Sequence, residues 1–381
     1  MYLLRALSIA LLLRCSLPLQ AQPPLIHQAL VAFDKDDLEQ AQTAIDQATS
    51  QAATSGPAWY YRGAIYEALL RKQISSEEAP ELFAATLASY RQALALTPPA
   101  SQFHSFAQIN LNNLWAYYLD RGRRYYRQEN FDKAVEQWQY CEQIRTDQPC
   151  VELYKAIAAH QDEQYALARQ HYTQYLTQAT TVPAPVYRGL AQVTAQLDQH
   201  AKQALLIIEQ ALQQYPFDND LLAEQLALYQ VGDGEKEALP QRLAKKLAAA
   251  PHDPALYYQL GYWYEQQGQP AQALLQYQQA ATLAPHNIEP MRQQGIVHYN
   301  QAAQLTQTIE AMPAEAFQEK GMELRQALTK HLAQALACFK QARKRQPRDL
   351  FTLKHLQTLY LRLKKPAKAA KIERKLWKYK P

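Results

Sequence analysis

The feature that most constrains this chain is a recurrent spacing of small and large residues over about 34 residues. In the clearest unit, Pro254–Asn287, small residues stand at positions 8, 20 and 27, and large apolar or aromatic residues stand at positions 4, 7, 11 and 24. Position 8 carries the same residue in four such units: Gly63, Gly122, Gly261 and Gly295. Because glycine destabilises a helix interior, its recurrence at one position indicates a close contact between paired helices. The spacing therefore predicts a repeat architecture rather than a compact globular domain.

Composition and proline placement agree with a helical repeat. The chain holds only 10 glycines among 381 residues and 25 tyrosines, and it is rich in Ala, Leu and Gln. This balance favours helices over strands. Prolines follow the expected second helix in four units, at Pro98, Pro216, Pro285 and Pro347. Proline at these places ends a helix, so the spacing predicts helix–turn–helix units.

The unit 254–287 resembles the tetratricopeptide repeat, a helix–turn–helix motif with a 34-residue period. The residues that carry the resemblance are Tyr257, Leu260, Gly261, Tyr264, Gly268, Ala273, Tyr277, Ala280 and Pro285. The resemblance implies an all-α fold, an alpha-alpha superhelix or solenoid of about nine repeats over residues 22–381. The repeats are expected near 22–55, 56–100, 101–148, 149–182, 184–218, 219–252, 254–287, 288–349 and 350–381.

Two repeats depart from the 34-residue spacing. Extra residues are expected at about 67–86 in the second repeat and at 300–333 in the eighth, where the added segment also has a helical pattern. We expect the eighth repeat to form a hairpin of two lengthened helices. The stretch Ser101–Asp120 is helical in pattern too and is expected to lengthen the first helix of the third repeat. Insertions between repeats often bind a partner, but they can also cover a repeat edge.

The N-terminal segment Met1–Ala21 has the layout of a secretory signal peptide. Arg5 supplies a positive charge, residues 6–13 are apolar, and Pro18 precedes a candidate cleavage site after Ala21. The apolar run is too short to span a bilayer. We therefore expect an exported chain, periplasmic or envelope-associated, with no transmembrane helix after cleavage. A lipid anchor at Cys15 and a cytosolic N-terminal helix are the alternatives.

The resemblance implies a non-catalytic scaffold that binds a protein or peptide in a concave groove and needs no cofactor. In this family the first helix of each repeat lines the groove. The positions that match are Tyr60, Tyr61, Arg123, Tyr126, Arg127, Tyr154, Arg188, Tyr258, Tyr262, Arg292, Tyr299 and His355. Tyr and Arg are enriched at binding hot spots. The alternative is that these side chains fill contacts between repeats.

The C-terminal end is strongly basic. Residues 340–381 hold 15 Lys and Arg against Asp349 and Glu373, while the whole chain has a net charge of only +5. The candidate residues for an anionic surface or polymer are Arg343, Lys344, Arg345, Lys364, Lys365, Lys368, Lys371, Arg374 and Lys375. An anionic envelope component is one candidate partner, and nucleic acid is not expected for an exported chain. The alternative is a solvated terminal repeat.

Enzymatic and metal-binding patterns are absent from the sequence. It contains no GxGxxG, GxxxxGK[ST], HExxH, GxSxG or CxxC motif, and its 10 histidines have no ligand spacing. We therefore predict no catalytic residues and no metal site. Cys141 and Cys150 form a candidate disulfide across a short turn, which an oxidising compartment would permit. Cys141 also stands at a small-residue core position, which a free thiol satisfies equally well.

Overall fold

The structure is a computed structural model that describes residues 24–73, 78–198, 201–231 and 238–379. These residues form 18 α-helices and no β-strand, which confirms the all-α prediction. The expected signal peptide, Met1–Ala21, lies outside the described residues. The chain divides into two compact units, the first ending at Gln164 and the second beginning at Tyr165. The predicted repeat limits remain a prediction.

The first unit contains seven of the described helices. They are α1 (Pro24–Asp34), α2 (Leu38–Gln51), α3 (Gly56–Lys72), α4 (Ala79–Leu96), α5 (Gln102–Arg127), α6 (Phe131–Ile144) and α7 (Cys150–Gln161). The second unit contains the others. They are α8 (Tyr165–Gln178), α9 (Ala184–Asp198), α10 (Ala201–Gln214), α11 (Asn219–Val231), α12 (Ala238–Ala249), α13 (Pro254–Gln266), α14 (Pro270–Leu283), α15 (Glu289–Glu310), α16 (Ala314–Arg345), α17 (Leu350–Arg362) and α18 (Pro366–Tyr379).

Each unit is a stack of helical hairpins. In the first unit α1 packs on α2, α3 on α4 and α5 on α6, and in the second unit α9 packs on α10, α13 on α14, α15 on α16 and α17 on α18. Successive hairpins also touch, through α2 and α3 or α4 and α5 in the first unit and through α14 and α15 or α16 and α17 in the second. This is the arrangement of a tetratricopeptide-like solenoid. None of the described helices is long and apolar enough to cross a membrane.

Five helices end in the same turn. A residue with positive φ follows α1, α5, α7, α13 and α17, and these residues are Asp36, Glu129, Glu163, Gly268 and Lys364. The next residue donates its N–H to the carbonyl five residues earlier, as from Gln269 to Tyr264 at 2.9 Å. This pattern is the Schellman motif, which satisfies the last carbonyls of a helix and reverses the chain. The turn therefore recurs although its central residue is glycine only at Gly268.

A glycine facing an aromatic ring sets the distance between paired helices. A Cβ at Gly261 would lie 2.8 Å from the ring of Tyr277, and a Cβ at Gly122 would lie 2.2 Å from Nε1 of Trp138. The same contact joins Gly63 to Tyr90 and Gly295 to Phe339. The four rings are at most 1% exposed, so each hairpin buries a large apolar group in the space that the missing side chain leaves.

The eighth predicted repeat is the longest hairpin of the second unit. Helix α15 has 22 residues and α16 has 32, against 13 in α13 and 14 in α14. At 1.5 Å per residue, α15 is about 13 Å longer than α13. The prediction of two lengthened helices here is confirmed. The predicted lengthening before the third repeat is also observed, since α5 has 26 residues.

We expect Gly122→Ala to destabilise the first unit. The added methyl group would overlap the indole of Trp138, which is 1% exposed and cannot move aside freely. Overpacking of this kind costs about 1–3 kcal/mol, more than the roughly 1 kcal/mol that alanine gains over glycine in a helix. Urea unfolding measures the difference. In a Trp138→Leu background the same substitution should be neutral or stabilising, and a stabilised single variant would refute the contact.

Candidate functional site

Four tyrosines predicted to line an open groove are buried. Tyr60, Tyr61 and Tyr258 are at most 2% exposed, and Tyr262 is 8% exposed. Burial raises the pKa of Tyr60, Tyr258 and Tyr262 above the usual tyrosine value. These side chains cannot present a binding surface, so their assignment to an open groove is corrected.

Their contacts explain the burial. The ring of Tyr60 on α3 lies against Phe103 and Phe106 of α5, at centroid distances of 5.6 and 5.8 Å. The hydroxyl of Tyr258 on α13 donates to Oδ1 of Asn219 on α11 at 2.8 Å. In both cases a first helix of one hairpin packs on a helix of another hairpin. These tyrosines therefore serve the second predicted role, contact between repeats.

The partly exposed members of the set also join neighbouring helices. The guanidinium of Arg123 on α5 lies 4.8 Å from the ring of Tyr154 on α7 and donates to its hydroxyl. Arg188 on α9 pairs with Asp220 on α11 at 2.8 Å. A charged or aromatic side chain that links two helices in this way stabilises the stack and is not available to a partner without a rearrangement.

Arg292 makes the most extensive of these contacts. Its guanidinium lies 4.0 Å from the ring of Phe351 on α17 and pairs with Glu289 at 2.5 Å. Tyr299 lies under the guanidinium of Arg362 at 4.7 Å. His355 stacks on Phe339 with a centroid distance of 5.0 Å and an interplanar angle of 21°. Arg292, Tyr299 and His355 therefore join α15 and α16 to α17.

The two remaining groove candidates lie at the C-terminal end of α5. Tyr126 is half-buried, with its ring 5.6 Å from that of Phe131 and 6.4 Å from that of Trp138. Arg127 is exposed. Among the residues predicted to line the groove, Arg127 thus has a charge that a partner could reach.

The candidate disulfide is not formed in the structure. Cys141 and Cys150 are both free thiols. The thiol of Cys141 is buried and donates to the carbonyl of Trp115 at 3.5 Å. Burial raises the pKa of Cys141 to about 12. This thiol is therefore protonated and fills the small-residue core position.

The basic candidate residues lie on the surface of the second unit. Lys344, Arg345, Lys364, Lys365, Lys368, Lys371 and Arg374 are exposed, and Arg343 and Lys375 are half-buried. Arg345 donates to the carbonyl of Pro285. No ion pair joins the cations of 364–378 to a carboxylate within the described residues. Their charges therefore face solvent.

An open groove lies on α16, in the part of the hairpin that the insertion adds. It is shallow and open to solvent, and its lining residues all belong to α16: Phe317, Gln318, Met322, Arg325, Gln326 and Thr329. The side chain of Met322 is 76% exposed. The guanidinium of Arg325 lies 4.7 Å from the ring of Phe317. The groove combines apolar surface with one positive charge and amide groups that can donate and accept hydrogen bonds.

Two histidines meet inside the same hairpin, although their spacing in the sequence gives no sign of it. The Nδ1 atoms of His298 and His331 are 3.3 Å apart. At this distance one ring donates its N–H to the other, so the facing nitrogens share one proton. Burial lowers the pKa of both rings. The charge of His331 lowers the pKa of His298 further, and the charge of Lys330 lowers the pKa of His331 further. No group of three potential ligands forms among the described residues, so the pair is not part of a metal cluster there.

We expect the stability of the second unit to fall as the pH drops from 7 to 5. The folded pKa of each ring is below its ordinary value, so the unfolded chain takes up protons first and the free energy of unfolding decreases. His331→Asn should reduce this pH dependence, measured by urea unfolding at each pH. The exposed His252 supplies the control, since His252→Asn should leave the dependence unchanged. A His331→Asn profile identical to wild type would contradict the coupling.

Arg292→Ala should destabilise the second unit and should leave its exposed surfaces unchanged. The variant loses an ion pair within α15 and a cation–π contact from α15 to α17, which together are worth about 1–3 kcal/mol at a largely buried site. The matched control is Arg188→Ala, which loses one pair to an Asp220 side chain that is 73% exposed and should cost about 0–1 kcal/mol. The midpoints of urea unfolding compare the stabilities of the two variants. Equal midpoints would show that Arg292 does not hold these helices together.

Comparisons with known proteins agree with the repeat. Residues 254–287 match the sequence model described as tetratricopeptide repeat. No curated protein matches the chain in sequence. The fold is similar to that of a human IFIT1 dimer with m7Gppp-AAAA, at 16% identity and a TM-score of 0.34, covering 94% of this chain and 68% of that one.

Two further solved structures are similar at the same level. One is Naa15/Naa10 bound to HypK-THB, at 15% identity and a TM-score of 0.37, covering 94% of this chain and 58% of that one. The other is the C-terminal part of a TPR repeat-containing protein from Cytophaga hutchinsonii, at 13% identity and a TM-score of 0.32, covering 69% of this chain and 95% of that one. These TM-scores carry no inference about partners. Residues 254–287 thus form a tetratricopeptide repeat, and the stacked hairpins of each unit have the arrangement of a tetratricopeptide-like solenoid.

Proposed function

We propose that this chain is a non-catalytic scaffold and that a partner protein binds in the groove on α16. The repeat fold is that of an interaction scaffold. The observation that carries the proposal is the solvent-exposed apolar surface around Met322 in the open groove of the lengthened hairpin. It lies on the part of α16 that exceeds the length of the neighbouring helices, and the cation–π contact of Arg325 with Phe317 stays within this helix rather than joining two hairpins.

The lining of the groove suits an apolar side chain beside a carboxylate. Phe317 and Met322 supply the apolar surface, and Met322 is 76% exposed. An exposed methionine adapts its shape to a bound side chain at little cost. Arg325 supplies a positive charge that a partner carboxylate would pair with. We therefore propose a partner segment that combines a large apolar residue with an acidic one.

A peptide along the first helices of the repeats is a less supported version of the same function. Tyr60, Tyr61, Tyr258 and Tyr262 are buried, and Arg292 is held by Glu289 and Phe351. A peptide bound there would have to displace contacts that stabilise the stack. The exposed Arg127 is a candidate for such a contact.

Site-specific photocross-linking tests the scaffold proposal. A benzophenone amino acid at position 322 should give a discrete adduct with one protein in cells that produce this chain. The control places the same group at Leu206 on α10, which is 61% exposed and lies outside the groove. Arg325→Glu should lower the yield at position 322. No adduct, or the same adduct from both positions, would refute the proposal.

The cross-linked adduct also tests whether the chain is exported, as we propose. The layout of Met1–Ala21 supports a location outside the cytoplasm, periplasmic or envelope-associated. Mass spectrometry of the adduct should then identify Gln22 as the first residue. An adduct that retains Met1 would contradict export and leave the scaffold proposal standing.

A further inference from the structure

The last helix of the chain has two chemically different faces. On α18, Ala369 and Ile372 are buried, and Leu376 and Tyr379 pack against the same core as α17. These four side chains recur at the spacing of one helix face. The helix is therefore held to the second unit by an apolar stripe, and its other face is directed away from that core.

The outward face of α18 is cationic. At 100° per residue, Lys371, Arg374 and Lys378 lie together, opposite the apolar stripe, and all three are exposed. No ion pair neutralises these side chains within the described residues. Glu373 is the one acidic residue of this helix. The face therefore attracts anions, and its charge lies on a stable helix rather than on a loose tail.

An exposed tryptophan borders this cationic face. Trp377 is 73% exposed and follows Arg374 by three residues, so the indole lies along one edge of the charged stripe. Large apolar side chains exposed to water are unfavourable, whereas an indole is favoured at the boundary between lipid and water.

We infer that α18 lies flat on an anionic phospholipid bilayer, with Lys371, Arg374 and Lys378 at the headgroups and Trp377 at the boundary with the acyl chains. Lysine and arginine near an anionic bilayer are attracted to its headgroups, and an indole is favoured at the boundary between lipid and water. The proposed partner of these basic residues is thus a lipid surface. This lipid contact goes beyond the scaffold proposal and does not depend on the groove of α16.

Vesicle sedimentation with the purified chain from residue 22 tests the inference. The chain should bind vesicles of phosphatidylcholine with 30% phosphatidylglycerol and should not bind phosphatidylcholine alone. Lys371→Gln with Lys378→Gln removes two headgroup charges and should lower the partition coefficient on the order of 30-fold. Trp377→Ala should lower it roughly tenfold, because the indole no longer inserts.

A matched pair controls for net charge. Lys245 and Lys246 on α12 are exposed in the same unit and have no ion pair within the described residues, so Lys245→Gln with Lys246→Gln removes the same two charges away from α18. This variant should bind as the wild type does. Equal loss in both pairs would overturn the inference, since binding would then follow net charge alone.

Two further outcomes would overturn the inference. Trp377→Ala without effect would exclude insertion into a bilayer. Tighter binding to heparin or single-stranded RNA than to the vesicles would assign the face to a soluble polyanion. Circular dichroism confirms that each variant is folded. Cross-linking through position 322 should be unaffected by changes in α18, so failure of the lipid contact and failure of the scaffold are distinguishable.

Discussion

The packing of an aromatic ring against a glycine is the interaction on which this structure depends. In four hairpins the ring of the second helix occupies the volume that a Cβ would take on the first, as Trp138 does at Gly122. The ring and the bare backbone together set how closely two helices approach. Because the contact recurs at one repeat position, each hairpin has a similar shape and can stack on the next. The other contacts between hairpins require this regular spacing.

Stacking of the hairpins determines how the polar and aromatic side chains are used. Tyr258 is buried against Asn219, and Arg292 lies on Phe351, so each joins a first helix to another hairpin. A tyrosine or arginine of this kind has the chemistry of a binding hot spot but is already occupied within the fold. The surfaces that we propose for partners therefore lie where no neighbouring hairpin covers the described residues. The added part of α16 and the outward face of α18 both meet this condition.

The lengthened hairpin also brings together groups that the repeat pattern does not predict. His298 lies on α15 and His331 on α16, so the antiparallel arrangement of the hairpin places them side by side although they are 33 residues apart in the chain. The lining of the groove is likewise specific to the inserted part of α16. Such features follow from the geometry of one insertion, whereas the other hairpins repeat a common plan.

The sequence by itself determined the all-α repeat, the close contact at glycine and the lengthened eighth hairpin. These follow from local spacing, because the size of a side chain at a fixed helical position limits how near another helix can come. The tertiary structure alone decided which face of a first helix is covered. Tyr60 stands at a position that could face a groove, but Phe103 and Phe106 of another hairpin lie against its ring and help to bury it. Burial depends on residues far away in the chain, so a local pattern cannot specify it.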